Sequence, residues 1–510
     1  MTLSMEQLQI ILNEHHILRS IQEKQPLVFQ HVSYDSRRVQ PDTLFFCKGD
    51  FKNSYVTMAL ARGATAIVTE QPVDLEQQAC QIIVTDVQKA MSLLAAAFFD
   101  YPQNHLKIVA ITGTKGKTTT AYFLYQALQQ PTAKKTALFS TVNTVLGSEP
   151  QQIFKSQLTT PESLDLFAQM QQAVANGMRY LIMEVSSQAY LKQRVYGLKY
   201  DVGSFLNISP DHIGTNEHPT FANYLHCKEQ LLINSKRVII NAETAHVAEI
   251  YDAAKATTDP DQIYLFARSS AKLQLKQMVD FTFDSTADSL SENQITLNAL
   301  SEKAQALGIA GAYTLGITGD YNEANAVDAI ISGGILGFQH DQLAAGIATT
   351  KIPGRMEAYQ SATHGTVYVD YAHNYASTKA VLRFLKDHHP AGKVIVVLGS
   401  PGNKGIDRRA GFGQALSEEA DEVYLTTDDP AFEDPEQIAH EIDHHIDHQR
   451  VQVHFEMDRI QAIQTAIEQA GPDDLVAVLG KGQDPYQKIK GVDTPYPTDS
   501  SVVKKQLQLD

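Results

Sequence analysis

One stretch of the chain, Leu106–Leu128, limits the possible fold more than any other. Its apolar run Ile108–Ile111 predicts a buried strand, and a second apolar pattern further along recurs with the period of a helix. A glycine-bearing turn, Gly113–Thr118, separates the two. A strand, such a turn and a helix together form a phosphate cradle, because backbone N–H groups at the start of the helix face the anion. The stretch therefore predicts a nucleotide-binding α/β fold.

Two side chains in this turn predict its chemistry. The Lys117 ammonium is expected to reach the β and γ oxygens of ATP, and the Thr118 hydroxyl to ligate Mg²⁺. The usual spacing G-x-x-x-x-G-K-[ST] would need glycine where this chain has Ile111, so the prediction depends on the strand and helix that frame the turn. The ATP contacts predicted in the turn are Gly113, Thr114, Lys115, Gly116, Lys117 and Thr118.

Length and charge narrow the class of protein. A chain of 510 residues is expected to form about three domains, each with its own core. Its net charge of −16 argues against a surface for nucleic acid or anionic membranes. We see neither a signal-peptide pattern nor an apolar run long enough to span a bilayer. We therefore expect a soluble cytoplasmic protein whose three separated cysteines are reduced thiols: Cys47, Cys80 and Cys227.

Residues 1–104 are predicted to form a small α/β domain, because short β runs alternate with helical patterns there. Asp35-Ser36-Arg37-Arg38 falls in a predicted loop beside Lys48. Hydroxyl, guanidinium and ammonium groups together suit a diphosphate or a uracil edge. A solvated turn is the simpler interpretation, and these residues alone favour it.

Residues 105–350 alternate strand and helix patterns in the manner of a doubly wound parallel sheet. Glu184 ends one predicted strand, and His212 follows another. Ligands of open α/β sheets bind at the carboxyl ends of the strands, so the two side chains are candidates for Mg²⁺ ligands as well as for ordinary solvated charges. The polar segment 270–315 suggests an antiparallel insertion, and Asn322 is expected either to contact an adenine or to cap a helix.

Residues 351–510 are predicted to form another α/β domain after a linker at Lys351–Glu357, where Pro353-Gly354 interrupts both periodicities. Its four predicted strands are each followed by a polar or glycine-bearing loop, so one face of this domain is expected to bind ligands. These strands are Thr366–Asp370, Val394–Leu398, Glu422–Thr426 and Leu475–Leu479.

Seven motifs along the chain resemble those of the Mur ligases, and most closely those of members that extend UDP-N-acetylmuramoyl-L-alanyl-D-glutamate. The motifs are Ile111-Thr-Gly-Thr-Lys-Gly-Lys-Thr118, Leu158-Thr-Thr-Pro-Glu162, Met183-Glu-Val-Ser-Ser187 with Arg194, Asn207-Ile-Ser-Pro-Asp-His212, Ile352-Pro-Gly-Arg-Met-Glu357, Asp370-Tyr-Ala-His373 and Gly480-Lys-Gly482.

The resemblance implies a three-domain α/β architecture with a central phosphate-loop sheet and a C-terminal Rossmann-like domain. The expected domains are 1–104 for the UDP substrate, 105–350 for ATP and 351–510 for the amino acid. It also implies an ATP-dependent ligase of peptidoglycan synthesis, with Mg²⁺ as cofactor and an acyl phosphate as intermediate. We expect a monomer in the cytoplasm.

The resemblance also assigns roles residue by residue. The implied Mg²⁺ ligands are Thr118, Glu184, His212 and Lys228, with Lys228 carbamylated so that it becomes an anion. The implied catalytic residues are Lys117, Glu184, His212 and Lys228. The implied UDP-substrate contacts are Ser36, Thr159, Thr160, Ser186 and Arg194. We call the turn Gly113–Thr118 the phosphate turn. The implied ATP contacts outside it are Asn322, Arg355, Asp370 and His373.

The acceptor amino acid is predicted from one loop. Diaminopimelate-adding relatives carry Asp-Asn-Pro-Arg, whose Arg clamps the distal carboxylate, whereas this chain has Asp428-Asp429-Pro430-Ala431. These aspartates, with Glu433 and Asp434 close in sequence, predict an anionic pocket that suits the ammonium of L-lysine and repels a second carboxylate. L-ornithine carries the same charge on a shorter stem and remains an alternative. The expected acceptor contacts are Lys404, Asp428, Asp429, Pro430, Ala431 and Asp484.

Three departures from the family pattern bear on individual contacts. Lys404 stands in a Pro-Gly-Asn-Lys-Gly loop where relatives have an arginine, Asp484 replaces a glutamate, and Gln188 follows Ser186-Ser187 where relatives have histidine. Two rival functions also remain. A folylpolyglutamate synthetase would share the ATPase but lack the N-terminal UDP module, and a non-catalytic nucleotide-binding protein need not keep the lysines and acids of the site.

Overall fold

The computed structural model describes residues 1–22, 26–75, 79–211, 213–214, 217–288, 293–317, 319, 322–389 and 391–509. Contacts divide the chain into two compact units. The first covers residues 1–286 and most of the chain from Gln294 to Thr349, and the second consists chiefly of the chain from Thr350 onwards. None of the helices in the described ranges is both long and apolar enough to cross a membrane.

A five-stranded sheet with the order β2-β7-β6-β5-β4 opens the first unit. β4, β5, β6 and β7 pair in parallel and β2 pairs antiparallel with β7. Every residue of β5 and of β7 is buried, as expected of strands covered on both faces. The elements are β1 (Leu3–Ser4), α1 (Met5–Glu14), β2 (Leu18–Gln22), β3 (Val28–Phe29), β4 (His31–Ser33), β5 (Thr43–Phe46), α2 (Asn53–Ala61), β6 (Ala64–Thr69), β7 (Cys80–Val84) and α3 (Val87–Phe98).

An eleven-stranded sheet forms the rest of the first unit, with the order β11-β10-β9-β12-β8-β13-β14-β15-β16-β17-β18. The pairs from β9 across to β16 are all parallel, and β10 and β11 add antiparallel strands at one edge. The elements are β8 (Lys107–Thr112), α4 (Lys117–Gln129), β9 (Thr136–Phe139), β10 (Asn143–Val145), β11 (Ile153–Lys155), α5 (Ser163–Ala175), β12 (Tyr180–Glu184), α6 (Ser187–Leu191), β13 (Val202–Phe205), α7 (Phe221–Ile233), β14 (Val238–Asn241), α8 (Val247–Lys255), β15 (Ile263–Arg268), β16 (Phe281–Asp288), β17 (Asn293–Ala299), α9 (Glu302–Gln305), β18 (Gly311–Leu315), α10 (Glu323–Ile335) and α11 (His340–Ala348).

The strand order places the phosphate turn at the switch point of the sheet. From β8 the chain passes to β9 and β12 on one side and then to β13, β14 and β15 on the other. The carboxyl ends of β12, β8 and β13 therefore lie next to one another, which is where open α/β sheets bind their ligands. The doubly wound central sheet predicted from sequence is thus observed.

The predicted antiparallel insertion at 270–315 is wrong in one respect. β16 pairs in parallel with β15, with Phe281 opposite Phe266 and Phe283 opposite Arg268, so it continues the central sheet. Both phenylalanines on β16 are fully buried. Burial of these rings against the existing core explains why the polar segment extends the sheet instead of forming a separate one.

Helices α4 and α11 pack so closely that one contact requires glycine. A Cβ atom added at Gly346 on α11 would lie 2.4 Å from the backbone of Ala127 and Gln126 on α4. No backbone can yield to such a contact cheaply. This contact fixes the helix that follows the phosphate turn against the last helix of the unit.

The second unit contains a six-stranded sheet with the order β19-β20-β24-β21-β22-β23. β19 and β20 pair antiparallel and the other neighbours are parallel. The elements are β19 (Glu357–Ser361), β20 (Gly365–Asp370), α12 (Tyr375–His388), β21 (Val394–Leu398), α13 (Asp407–Glu419), β22 (Glu422–Leu425), α14 (Pro435–Asp443), β23 (Gln452–Phe455), α15 (Arg459–Gln469), β24 (Leu475–Leu479), β25 (Tyr486–Ile489), β26 (Val492–Pro495) and α16 (Asp499–Gln506). The strands predicted at Val394–Leu398 and Leu475–Leu479 match the observed ones residue for residue.

A buried ion pair fixes the carboxyl end of β24. Arg459 and Asp499 are completely buried and form two hydrogen bonds of 2.8 Å between guanidinium and carboxylate. The same carboxylate accepts from the Tyr496 hydroxyl at 2.8 Å and the Gly482 N–H at 3.0 Å, and the guanidinium donates to the Leu479 carbonyl at 2.8 Å. Removing one member of such a pair costs about 3–5 kcal/mol, because the other charge stays buried.

A buried carboxyl in α10 predicts a pH-dependent stability. Burial raises the pKa of Asp328 from 3.8 to about 7, and the nearby Ser204 and Ser332 hydroxyls, which lower it, do not offset burial. The folded protein therefore holds a proton that the unfolded chain releases between about pH 4 and pH 7, so this group lowers stability as pH rises through that window. We expect Asp328→Asn to raise the free energy of unfolding relative to the parent chain by about 2–4 kcal/mol at pH 8, and much less at pH 4.

Denaturant unfolding at both pH values measures this difference. The exposed Asp341 offers a matched control, since Asp341→Asn removes the same charge from a fully exposed side chain. Equal gains for Asp328→Asn at the two pH values would show that the carboxyl is not protonated in the folded state.

Candidate active site

The phosphate turn after β8 is held in shape by its own neighbours. Gly116 has φ +86°, and a Cβ atom there would lie 2.2 Å from the Asn325 side-chain oxygen, so both backbone and packing require glycine. The Asn207 side chain accepts from the Lys115 N–H at 2.9 Å and donates to the Lys115 carbonyl at 3.1 Å. The turn is therefore built before any ligand arrives. The sequence indicated the glycines, but not that Asn207 fixes the turn.

Two lysine side chains converge on one carbonyl oxygen of the turn. The Lys117 Nζ donates to the Gly113 carbonyl at 2.8 Å, and the Lys228 Nζ, from α7, donates to the same oxygen at 2.7 Å. Lys228 is 2% exposed. Burial lowers the pKa of Lys228 well below its ordinary range, and the adjacent Lys117 charge lowers it further. Lys228 is therefore a buried residue of α7 and not a surface lysine.

Glu184 lies at the neighbouring strand end. It pairs in register with Ile111 of β8, is fully buried, and accepts two hydrogen bonds from Thr141: 2.7 Å from the N–H and 3.0 Å from the hydroxyl. Thr118 is buried in the first turn of α4. His212, the remaining predicted metal ligand, lies outside the described residues. In the described part of the chain no three His, Cys, Asp or Glu side chains meet as a metal site, so a metal here would need hydroxyl and lysine-derived ligands beside Glu184.

The structure brings together the four residues predicted to contact the peptide part of the substrate or to lie beside it. The Thr160 hydroxyl donates to the Glu184 carbonyl at 3.0 Å and accepts from the Ser186 N–H at 3.1 Å. Arg194 donates to the Thr160 carbonyl at 3.3 Å, and the Thr159 hydroxyl lies 3.0 Å from that of Thr141. These groups lie around the carboxyl end of β12, the strand that pairs with β8 next to the phosphate turn.

Glu162 connects this cluster to the N-terminal sheet. Its carboxylate contacts the Lys48 Nζ at 2.7 Å and the Arg194 guanidinium at 2.9 Å. The Tyr34 hydroxyl donates to Asp165 one turn further along α5. The sequence indicated Glu162 only as the last residue of a Thr-Thr-Pro-Glu motif. Its partners are far apart in the chain, so no local pattern could have identified them.

Ser36 lines a cavity in the first unit. This cavity measures about 470 Å³ and is walled by the rings of Tyr34, Phe45, Phe46, Phe51 and Tyr55, with Ser36, Arg37 and Lys48 as polar groups. Ser36 is buried, and two hydrogen bonds from Arg37 lower the pKa of Asp35 to about 2. A second cavity of about 240 Å³ shares Tyr34 with the first and reaches Glu162 and Thr144. Aromatic walls beside cationic groups suit a nucleotide.

The predicted ATP contacts of the second unit surround Asp370. This buried carboxylate accepts from the N–H groups of Met356 at 2.9 Å and Ala372 at 2.7 Å. The Arg355 guanidinium lies 5.6 Å from the centre of the Tyr371 ring. Burial lowers the pKa of His373 and raises that of Asp370. In the first unit, Asn322 precedes α10 but makes no capping hydrogen bond, so capping does not explain it.

The predicted acceptor pocket differs from expectation in its charge. The Lys481 ammonium, 1% exposed, lies 2.8 Å from Asp429, 3.6 Å from Asp428 and 3.8 Å from Asp484. Glu433 and Asp434, which were predicted to add negative charge to this pocket, interact with other groups. Glu433 pairs with the buried Arg409 at 2.8 Å, and Asp434 caps α14. The pocket is therefore acidic but already contains a cation, which the loop sequence alone did not indicate.

The remaining predicted acceptor residues frame this cluster. Ala431 has φ +53°, and its N–H donates to the Lys488 carbonyl at 2.9 Å, while Pro430 is buried beneath the loop. Lys404 is exposed on the loop after β21, and its charge contributes to the lowered pKa of Asp429.

Comparison with known proteins shows which family has this architecture. The Mur ligase middle domain model matches residues 111–333, and the Mur ligase glutamate ligase domain model matches residues 354–482. The UDP-N-acetylmuramyl-tripeptide synthetase of Ligilactobacillus salivarius is 57% identical over 498 residues, which cover 98% of each chain. The UDP-N-acetylmuramoyl-L-alanyl-D-glutamate--L-lysine ligase of Enterococcus faecalis is 47% identical over 476 residues, 93% of this chain and 90% of its own.

A solved structure of similar fold supports the same conclusion. It is a UDP-N-acetylmuramoyl-L-alanyl-D-glutamate--2,6-diaminopimelate ligase, which aligns with a TM-score of 0.65 at 26% identity over 100% of this chain and 99% of its own. The resemblance inferred from seven motifs and the three-domain α/β architecture are confirmed by these matches. This chain belongs to the Mur ligase family.

Proposed function

We propose that this chain is an ATP-dependent ligase that adds L-lysine to the D-glutamate γ-carboxylate of UDP-N-acetylmuramoyl-L-alanyl-D-glutamate, in peptidoglycan synthesis. The observation that carries the proposal is the 47% identity, across nearly the whole chain, to the Enterococcus faecalis relative named as the L-lysine ligase. Coverage of the C-terminal unit matters most here, because the acceptor loop lies in it.

The proposed reaction has two steps, since a carboxylate is a poor electrophile. An oxygen of the γ-carboxylate attacks the γ-phosphorus of ATP, the bond to the bridging oxygen breaks, and ADP leaves. The acceptor's neutral α-amine then attacks the acyl carbon of the resulting acyl phosphate; a C–N bond forms, phosphate leaves, and the amine loses a proton. Lys117 and the N–H groups of the phosphate turn stabilise the charge on the transferring phosphoryl.

The residues at the strand ends fit a Mg²⁺ site. Glu184 offers a buried carboxylate, Thr118 a hydroxyl at the start of α4, and Lys228 an amine whose pKa is lowered by burial. These residues, with His212, are the proposed ligands, and oxygen donors are what Mg²⁺ prefers. When bound, the ion would neutralise phosphate charge.

The same environment supports carbamylation of Lys228. Only a neutral amine adds CO₂, and burial beside Lys117 favours the neutral form. The product would be an anion, which the adjacent Lys117 ammonium would stabilise. Lys228, Lys117, Glu184 and His212 are therefore the proposed catalytic group.

The proposed binding sites follow the three sheets. Residues 1–104 would hold the UDP part in the 470 Å³ cavity beside Ser36, while Thr159, Thr160, Ser186 and Arg194 would hold the peptide part. The phosphate turn would bind ATP, together with Asn322, Arg355, Asp370 and His373. Residues 351–510 would form the L-lysine site, which comprises Asp428, Asp429, Asp484 and the loop residues Lys404, Pro430 and Ala431. We also propose a cytoplasmic monomer.

Acceptor choice provides the first test. We expect phosphate release to require both the UDP-dipeptide and L-lysine, with kcat/KM for meso-diaminopimelate at least about 100-fold lower, because its second carboxylate would meet acids and no guanidinium. The measurement is phosphate release with L-lysine, L-ornithine and meso-diaminopimelate in parallel. Release that needs only ATP, or equal use of lysine and diaminopimelate, would contradict the proposal.

The phosphate-turn lysine provides the second test. We expect Lys117→Met to lower kcat roughly 100- to 1,000-fold, because the charge developing on the phosphoryl group loses a fixed cation. Lys107→Met is the matched control: Lys107 begins β8, at the end of that strand opposite the phosphate turn, and its exposed ammonium pairs with Asp201. Similar kcat values for the two variants would remove Lys117 from the chemistry.

Carbamylation provides the third test. We expect activity to fall in CO₂-free buffer and to recover when bicarbonate is added, because the neutral Lys228 amine must take up CO₂. A carbamate signal in ¹³C NMR after addition of labelled bicarbonate gives a readout that does not depend on turnover. Lys228→Met should lose this signal, whereas Lys236→Met, at an exposed lysine near the end of α7, should keep it. An unchanged signal in Lys228→Met would place the carbamate elsewhere.

A further inference from the structure

A buried lysine of the protein occupies the acidic pocket of the second unit. The Lys481 ammonium faces three carboxylates, and its distances to them are unequal: 2.8 Å to Asp429, 3.6 Å to Asp428 and 3.8 Å to Asp484. The resident cation therefore lies to one side of the pocket, nearest Asp429.

Asp429 is the residue that draws it there. The carboxylate oxygen that accepts from Lys481 also accepts the Lys488 N–H of β25 at 2.9 Å, and the Asp429 backbone carbonyl accepts the Gly402 N–H at 2.8 Å. These bonds tie together the loops that follow β21, β22 and β24. The Asp429 carboxylate therefore has a fixed place, and it holds the Lys481 ammonium at that place.

The two adjacent aspartates have opposite electrostatic surroundings. Burial alone would raise the pKa of Asp429, but the Lys481 charge and the backbone hydrogen bond lower it below its usual value. Burial raises the pKa of Asp428, and the more distant Lys481 and Arg459 charges do not offset it. Arg459 is itself bound to Asp499 in two hydrogen bonds. Asp428 is thus the carboxylate that gains most from another cation.

We propose that Asp429 is a positioning residue for acceptor selection: it holds the Lys481 ammonium closer to itself than to Asp428 and Asp484, so that the side-chain ammonium of the acceptor can also pair with those two carboxylates. This inference rests on the proposed function, in which the acceptor is L-lysine. Asp429 does not need to contact the acceptor. It acts through Lys481, which would otherwise compete for the same two carboxylates.

Lys481 can compete with the free acceptor because it is attached to the chain next to the pocket. An ammonium attached to the chain next to the pocket has an effective concentration in the millimolar range or higher, comparable to that of a free amino acid substrate. If Asp429 lost its charge, Lys481 would move toward the two acids that remain. The free acceptor would then have to displace it.

Asp429→Asn tests this directly in the full-length enzyme. Asparagine has the same shape and its oxygen can still accept the Lys488 N–H, so the loops should stay in place. We expect the KM for L-lysine to rise about tenfold, the scale of one charge-assisted hydrogen bond in a partly buried site, with kcat changed less than about threefold. Steady-state rates at saturating ATP and UDP-dipeptide give both constants.

The double variant Asp429→Asn/Lys481→Met distinguishes competition by Lys481 from a direct role of Asp429 in binding. Methionine fills similar space without charge, so the competing ammonium is absent, and we expect KM for L-lysine to return to within about threefold of the parent value. Asp493→Asn is the matched control, because Asp493 pairs with Lys488 on the exposed hairpin β25–β26 and the substitution removes one charge outside the pocket. This control should leave KM unchanged.

Each result decides the matter. An unchanged KM in Asp429→Asn overturns the inference, and so does a raised KM that Lys481→Met fails to lower, since Asp429 would then bind the acceptor itself or act through folding. Thermal midpoints of the variants identify a folding effect, which would lower kcat together with the amount of active enzyme. If the parent chain does not turn over L-lysine at all, the proposed function fails first, and the parent arm shows it.

Discussion

The interaction on which the active region of the first unit depends is the approach of two lysines to one backbone oxygen. The Gly113 carbonyl accepts from Lys117 within the turn and from Lys228 on α7. The phosphate turn and α7 are thereby joined at the point where β8 ends. Burial lowers the pKa of Lys228, and the adjacent Lys117 charge lowers it further, so the arrangement favours a neutral amine. The position that allows this hydrogen bond is thus also the one that lowers the pKa of the side chain.

The second unit also holds buried charges, in two different arrangements. Arg459 and Asp499 pair through two hydrogen bonds and hold the end of β24. Lys481 instead faces three carboxylates at unequal distances. The first arrangement pairs one cation with one anion, and the second surrounds one cation with several anions.

Much of the fold could be predicted from the sequence, since apolar runs such as Val394–Leu398 become buried strands and polar loops mark their carboxyl ends. The phosphate turn, the strand-end position of Glu184 and the clustering of Thr160, Ser186 and Arg194 followed from the same reasoning and from family motifs. The partners in the ion pairs could not be predicted in this way. Lys48 and Glu162, or Asp429 and Lys481, lie far apart in the chain and meet only through the tertiary fold. The parallel pairing of β16 was not predicted because most of its residues are polar, although its two phenylalanines are buried in the core.

The backbone of Ala431 has a consequence for how this loop can vary. Its φ of +53° lies in the left-handed region, and the turn is held by the N–H bond to Lys488 and by the buried Pro430. Residues with a Cβ adopt this conformation at a cost, which is smallest for asparagine and aspartate and largest for β-branched residues. A replacement at this position must therefore suit the backbone before its side chain can alter the loop, which narrows the set of residues that the surrounding scaffold can accept.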